Sequence, residues 1–166
     1  YIDGEILKED DIIDNNYDWA ENRHGIDVGR NDMWRKQKED RYLKTCFDPC
    51  PDGWRVPTEE EMSSLIAHRS SSLQYFGTSG YMFCGKDDYS EDAPSVFLPS
   101  AGYRNENGQC GGREAEGYYW TSSATSDGLS SSVKFDAGQS GCHTSYRSCG
   151  YSVRCVRNDE EEIFVH

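Results

Sequence analysis

Cys50–Met62 reads Cys-Pro-Asp-Gly-Trp-Arg-Val-Pro-Thr-Glu-Glu-Glu-Met, which places a turn, a strand-like Trp54–Val56 and a helix start in immediate succession. Thr58 carries the side chain of an N-cap, and Glu61, three residues on, supplies the reciprocal half of a capping box. Glu59, Glu60 and Glu61 put negative charge at the positive end of the helix dipole, so capping explains this acidic run better than a catalytic or metal cluster does. Met62, Leu65 and Ile66 then fall at i, i+3 and i+4, and the spacing predicts one apolar helix face ending near His68.

Downstream, Ser70 to Glu91 reads as a polar connection with apolar islands at Tyr75-Phe76 and Tyr81-Met82-Phe83. From Val96 the pattern becomes short strands between turns: Val96–Leu98, Tyr103–Arg104, an Asn107-Gly108 hairpin signal, Tyr118–Thr121, Ser132–Phe135 and Tyr151–Val156. Within them Val133 and Phe135 share a face opposite Ser132 and Lys134, and Tyr151, Val153 and Cys155 share one opposite Ser152 and Arg154. A helix followed by irregular strands and long loops predicts an α+β domain.

Upstream the signal is weaker. Ile2, Ile6, Leu7, Ile12 and Ile13 suit an N-terminal strand, residues 14 to 32 have the Asn, Gly and Asp density of a loop, and Met33 to Lys44 suits either a solvated short helix or an extended arm. The tail, Asn158 to His166, carries four acids before Ile163-Phe164-Val165 and reads as a frayed end or a last strand. At 166 residues the chain is sized for a single domain.

The formal net charge of −13 repels a phosphate backbone, so nucleic acid is not an expected partner. No run approaches the roughly 18 apolar residues of a membrane span. The chain starts at Tyr1 with neither Met nor a leader, which is the expectation for a processed or trimmed N-terminus. Seven Cys (46, 50, 84, 110, 142, 149 and 155) point to an oxidising compartment, and the odd count leaves one thiol unpaired or paired between chains. Their spacings are not those of a zinc knuckle, and His24, His68, His143 and His166 form no metal motif. The acidic knot Asp87 to Asp92 offers oxygen ligands but lacks the EF-hand rhythm. Neither a metal nor another cofactor is expected.

Four blocks in order resemble the Fibrobacter succinogenes major paralogous domain family of bacterial secreted or surface domains. They are Cys50-Pro51 with Gly53–Thr58, Leu98-Pro99 with Ala101–Arg104, Tyr119–Ser123, and Gly150–Arg157. The resemblance covers residues 46 to 158, leaving 1–45 as N-terminal strand and loops and 159–166 as the acidic tail. It implies a C-type-lectin-like fold related to formylglycine-generating enzymes, with Arg55–Met62 similar to their RLPTEAEWE block. It further implies that Trp54, Trp120 and Arg154 belong to core and frame, and that Cys50 and Cys155 form a disulfide.

Some lectin-like domains of this kind are variable proteins of diversity-generating retroelements, in which adenine changes convert an AAC codon to Ser, Gly, Cys, His, Thr, Tyr or Arg codons, but never to Lys, Glu, Gln, Met or Trp. Ser140–Cys149 draws only on that allowed set. The expected function is therefore non-catalytic: an exported ligand-binding or adhesin domain at a cell surface, or on a phage particle, that recognises a protein or carbohydrate through its C-terminal loops. The expected contact residues are Tyr118, Tyr119, Ser126, Asp127, Ser130, Ser132, Ser140, Cys142, His143, Ser145, Tyr146, Arg147 and Ser148, a mixture of rigid rings and small polar groups suited to adaptable recognition. The rivals are a passive pilus or envelope module, and a formylglycine-generating-type oxidase using Cys142 and Cys149 with copper. The latter lacks that enzyme's wider motifs, and a GxSxG elbow, a P-loop and a GxGxxG are all missing from the chain.

Overall fold

The computed structural model describes residues 34–38, 41–84, 94–126 and 129–158. The expected N-terminal strand, the acidic knot at 87–92, Asp127 and the tail lie outside the described residues. In chain order the elements are β1 (Arg35–Lys38), β2 (Arg41–Lys44), β3 (Trp54–Arg55), α1 (Glu59–Ile66), β4 (Arg69–Tyr75), β5 (Thr78–Cys84), β6 (Ser95–Pro99), β7 (Tyr103–Arg104), β8 (Cys110–Gly111), β9 (Gly117–Ser126), β10 (Leu129–Phe135), β11 (Ser140–Tyr146) and β12 (Val156–Arg157). The sheets are β1-β2, β12-β3, β4-β5-β6, β7-β8 and β11-β10-β9, and every strand pairing in them is antiparallel.

This overturns the α+β, C-type-lectin-like expectation, because the described residues are mostly β with one eight-residue helix. The helix itself is where the capping chemistry puts it. Thr58 Oγ1 accepts from Glu61 N at 3.2 Å, and Glu61 Oε2 accepts from Thr58 N at 2.8 Å. Arg55 clamps the same carboxylate with two bonds of 2.7 Å, and that guanidinium holds the Glu61 carboxyl below its usual range. A well-marked helix start says nothing about how much helix follows, and here the chain goes straight into hairpins. Thr58→Ala should cost about 1 kcal/mol and lower the melting temperature by roughly 2–4 °C. Circular dichroism melts check this, and an unchanged midpoint would contradict the capping account.

Within the stretch expected to be a short helix or an extended arm, Arg35–Lys38 and Arg41–Lys44 pair as β1-β2, and the stretch expected to be a polar connection holds β4 and β5. The β4–β5 turn is Phe76-Gly77 with φ of 48° and 77°. Positive φ at both central positions is the twist a two-residue hairpin needs, and Gly77 meets it without a Cβ penalty. Beyond that turn Tyr81, Met82, Phe83 and Cys84 are all buried, so β5 is enclosed on both faces and shows no alternation in its sequence.

The core lies where α1, β4-β5-β6 and β11-β10-β9 meet. Met62 and Ile66 of the helix pack with Tyr81, Phe83, Leu98, Tyr119, Val133 and Phe135, with Leu65 at the margin. The Phe135 ring lies 5.2 to 5.8 Å from the rings of Phe83, Tyr81 and Tyr119. Opposite it on β9 is Gly117, where any Cβ would fall on that ring, so the glycine is required by close approach.

Cys50 and Cys155 are disulfide-bonded across 105 residues of sequence. Beside the bond, β3 pairs Trp54 with Arg157 and Arg55 with Val156. Asp48, buried next to this seam, accepts from Cys50 N at 2.8 Å and Val56 N at 2.9 Å. Burial pushes its carboxyl pKa up, opposed by those two amides and by Lys44. Of the three residues assigned to core and frame, Trp120 is buried, whereas Trp54 is 45% exposed and Arg154 is exposed. At Trp54 it is the main chain that frames, taking a 2.7 Å bond from Lys44 Nζ. The expected Tyr151–Val156 strand is also absent: only Val156 of it belongs to β12, while Ser152 makes an isolated bridge to Tyr119.

Candidate functional site

The Ser-rich C-terminal segment is not a set of loops but the β9-β10-β11 sheet. β10 pairs with β11 without interruption from Leu129↔Tyr146 to Phe135↔Ser140, while its pairing with β9 is irregular around Ser130 to Ser132. Directly paired residues share a face, so Val133 with Cys142 and Tyr119 faces the core, and Ser132 with His143 and Trp120 faces away. The irregularity bends the sheet and lets Thr121 Oγ1 donate to Ser131 O at 3.0 Å.

The face away from the core is itself covered. Tyr103 meets Tyr118 at 4.8 Å, Tyr118 meets Tyr151 at 5.0 Å, and Tyr151 stacks on Trp120 at 4.5 Å. Tyr151 OH donates to Ser145 Oγ at 3.2 Å, which lies 2.9 Å from Ser132 Oγ. Lys134 closes the row at its other end, 3.1 Å from Glu116 and 3.3 Å from Asp136. These rings turn half of a nominally polar sheet face into packed structure.

The thirteen residues expected to touch a ligand therefore divide. Tyr119 is buried in the core with its OH on Pro99 O at 3.0 Å, and burial lifts its pKa to about 12. Ser132 and Ser148 are also buried. Tyr118 is half-buried in the aromatic row, Ser130 donates to Ser123 O, and Ser140 donates to Ile66 O at the end of the helix. Arg147 spends Nε and Nη2 on Leu129 O, at 3.1 and 2.9 Å, and so ties the end of the hairpin to its start. Ser126 closes β9. What remains accessible is concentrated on β11: His143 and Tyr146 are exposed and Ser145 is half-buried. Thr144, absent from the expected set, is exposed beside them. β11 is an edge strand, paired only with β10 among the described strands.

Cys142 and Cys149 are not bonded to each other and occupy different surroundings. Cys142 lies on the core-facing side near Ser63 and Glu59 of the helix, while Cys149 sits 3.9 Å from Glu106 on the Tyr151 side. Burial raises both thiols' pKa, which is the reverse of what a reactive cysteine needs.

A concavity of about 210 Å³ lies between the β1-β2 hairpin and the segment Arg55–Thr58, with Ser122 of β9 in its lining. No sequence signal marked it, because its lining comes from five separate stretches of chain.

Compared with known families, residues 7–157 match the model of the Fibrobacter succinogenes major domain. The chain belongs to this family. The match begins 39 residues before the 46–158 stretch expected from the four blocks, so most of the N-terminal segment belongs to the Fibrobacter succinogenes major domain as well. No curated protein and no solved structure matches this member of the family. Among its described residues no helix is long and apolar enough to cross a membrane.

Proposed function

We propose that this domain is an exported, non-catalytic binding module that recognises a protein or carbohydrate through edge strand β11, centred on His143, Thr144, Ser145 and Tyr146. The carrying observation is a division of labour within one hairpin. β10 supplies Val133 and Phe135 to the core at 0% exposure, while β11 has four half-buried and three exposed positions and contributes only Cys142 to the core margin. The exposed side chains of β11, His143, Thr144 and Tyr146, can change without removing a core contact, and the whole sequence of the strand belongs to the residue set that AAC randomisation yields. A retroelement-diversified variable strand on a constant scaffold accounts for both facts. Export fits a disulfide that must persist, and an acidic chain disfavours nucleic acid as the ligand.

The combined variant His143→Ala/Thr144→Ala/Tyr146→Ala should abolish capture of the ligand found on glycan and surface-protein arrays, while its melting temperature stays within about 6 °C of the parent, since surface substitutions usually cost under about 0.5 kcal/mol each. Retained capture would remove β11 as the contact surface. A genomic copy of the 118–157 coding segment with AAC codons at the β11 positions is the matching genetic observation.

A second reading rests on Cys46 and Cys110, both exposed free thiols. If they staple neighbouring copies, the protein is a structural module, and oligomers dispersed by reductant identify it.

A further inference from the structure

The outer edge of β11 is main chain, and its chemistry is fixed whatever side chains the strand carries. In an antiparallel pair, residues alternate between those that turn N–H and C=O toward the neighbouring strand and those that turn them away. The turn sets the phase. Asp136 N donates to Gln139 O at 2.9 Å, so Gly141, His143 and Ser145, at steps of two from Gln139, face β10. His143 O accordingly accepts from Ser132 Oγ at 3.3 Å. On its other side β10 turns Ser131 O toward β9, where Thr121 Oγ1 reaches it. Cys142 and Thr144 therefore direct two donors and two acceptors outward, and no strand among the described residues pairs with them.

Edges of this kind are normally blocked by Lys, Pro, a bulge or a covering element. Residues 137–146 hold no Asp, Glu, Lys, Arg or Pro, and the register of β10 with β11 runs without a shift. His143 and Thr144, on opposite faces of the strand, are both exposed, so neither face is roofed at this point. A row of outward main-chain donors and acceptors is met by another extended main chain. Charge selects which one. A net charge of −13 sets two copies of the chain against each other. Besides burial, the carboxylates of Glu59 and Glu60 on α1 push the Cys142 thiol pKa up, which places negative charge beside this strand. A partner strand bearing Lys or Arg answers both. We propose that β11 binds an extended, basic peptide segment of another protein by strand addition, paired to the main chain of Cys142 and Thr144. The proposal rests on β11 being the recognition strand, and it names a protein rather than a carbohydrate as the ligand. Main-chain pairing aligns the segment whatever side chains β11 carries, and those side chains choose among basic segments.

The test is an array of random peptides of seven residues, the length of β11, with compositions from acidic to basic, probed with the full chain, its disulfide intact. The parent should hold basic peptides and release acidic ones. Thr144→Pro removes an outward N–H that takes no part in the ladder to β10, and should weaken the best peptide by at least about tenfold. Thr144→Val keeps that N–H and should bind within about threefold of the parent. N-methylation of the peptide at alternate residues should abolish binding in one phase and spare it in the other, which keeps the test valid if Thr144→Pro folds poorly. Absence of bound peptides, a preference for acidic ones, equal binding by a folded Thr144→Pro protein, or indifference to methylation in both phases overturns strand addition. Capture of a glycan alone, kept by Thr144→Pro and lost in the combined alanine variant, would overturn it while leaving β11 as a side-chain contact surface. A parent that sediments as a dimer, and as a monomer after Thr144→Pro, would give the edge to a second copy instead.

Discussion

Replacing Cys50 and Cys155 together by Ser should lower the stability of the domain by about 4–5 kcal/mol, one of the two largest losses expected from any local change. The chain-entropy account gives roughly 4.7 kcal/mol for a closed loop of about 100 residues, and the separation here is 105. Nearly the whole described structure lies inside that loop. Its two ends are otherwise joined by the two residue pairs of β3-β12 and by the bond from Asn158 N to Gly53 O. Without the covalent link this short seam must be closed against the full freedom of the unfolded chain. Urea unfolding of the double Ser variant beside the oxidised parent measures the difference, and the double variant avoids leaving one reactive thiol. A midpoint that does not move would mean that the unfolded chain is already held compact by other means.

Phe135→Ala is the second, with an expected cost of about 3–5 kcal/mol. Phe135 is fully buried and its ring lies against three others, two from β5, Tyr81 and Phe83, and one from β9, Tyr119. The backbone cannot easily collapse into the space left, since β10 is held between β9 and β11 on both sides. Phe135→Leu should recover more than half of the loss. Equal stability for the alanine and parent proteins in chemical unfolding would show that the two sheets and the helix do not share the core described above.

The parts of the fold that were legible in the sequence are those whose signal is local. The Thr58/Glu61 capping box, the Met62 and Ile66 face, the Asn107-Gly108 turn and the alternation of Val133 with Phe135 each depend on residues within one turn or one strand, and each is present. The fold class was misjudged because one helix followed by strands was read as α+β, while the strands at Arg35–Lys44 and Arg69–Tyr75 were not recognised as such. β5 hid because a strand buried on both faces has no period-two pattern, and its turn was missed because Phe76-Gly77 is an unusual pair for positive φ. Ser132 and Ser148 were placed among the contact residues, yet both are buried. Small side chains that bond to their own sheet, as Thr121 does to Ser131 O and Ser132 to His143 O, need no solvent. The candidate contact set was correspondingly too wide, and Thr144 entered it only once the register of β10 with β11 was known.

The central claim is that β11 is a recognition strand on a scaffold indifferent to its sequence. The most direct measurement is to exchange residues 140–147 for those of another member of the family, then record the melting temperature and the array binding of both proteins. The account predicts a melting temperature within a few degrees of the parent and a different, or lost, bound target. Collapse of the fold, or an identical target bound with identical strength by both, would contradict it.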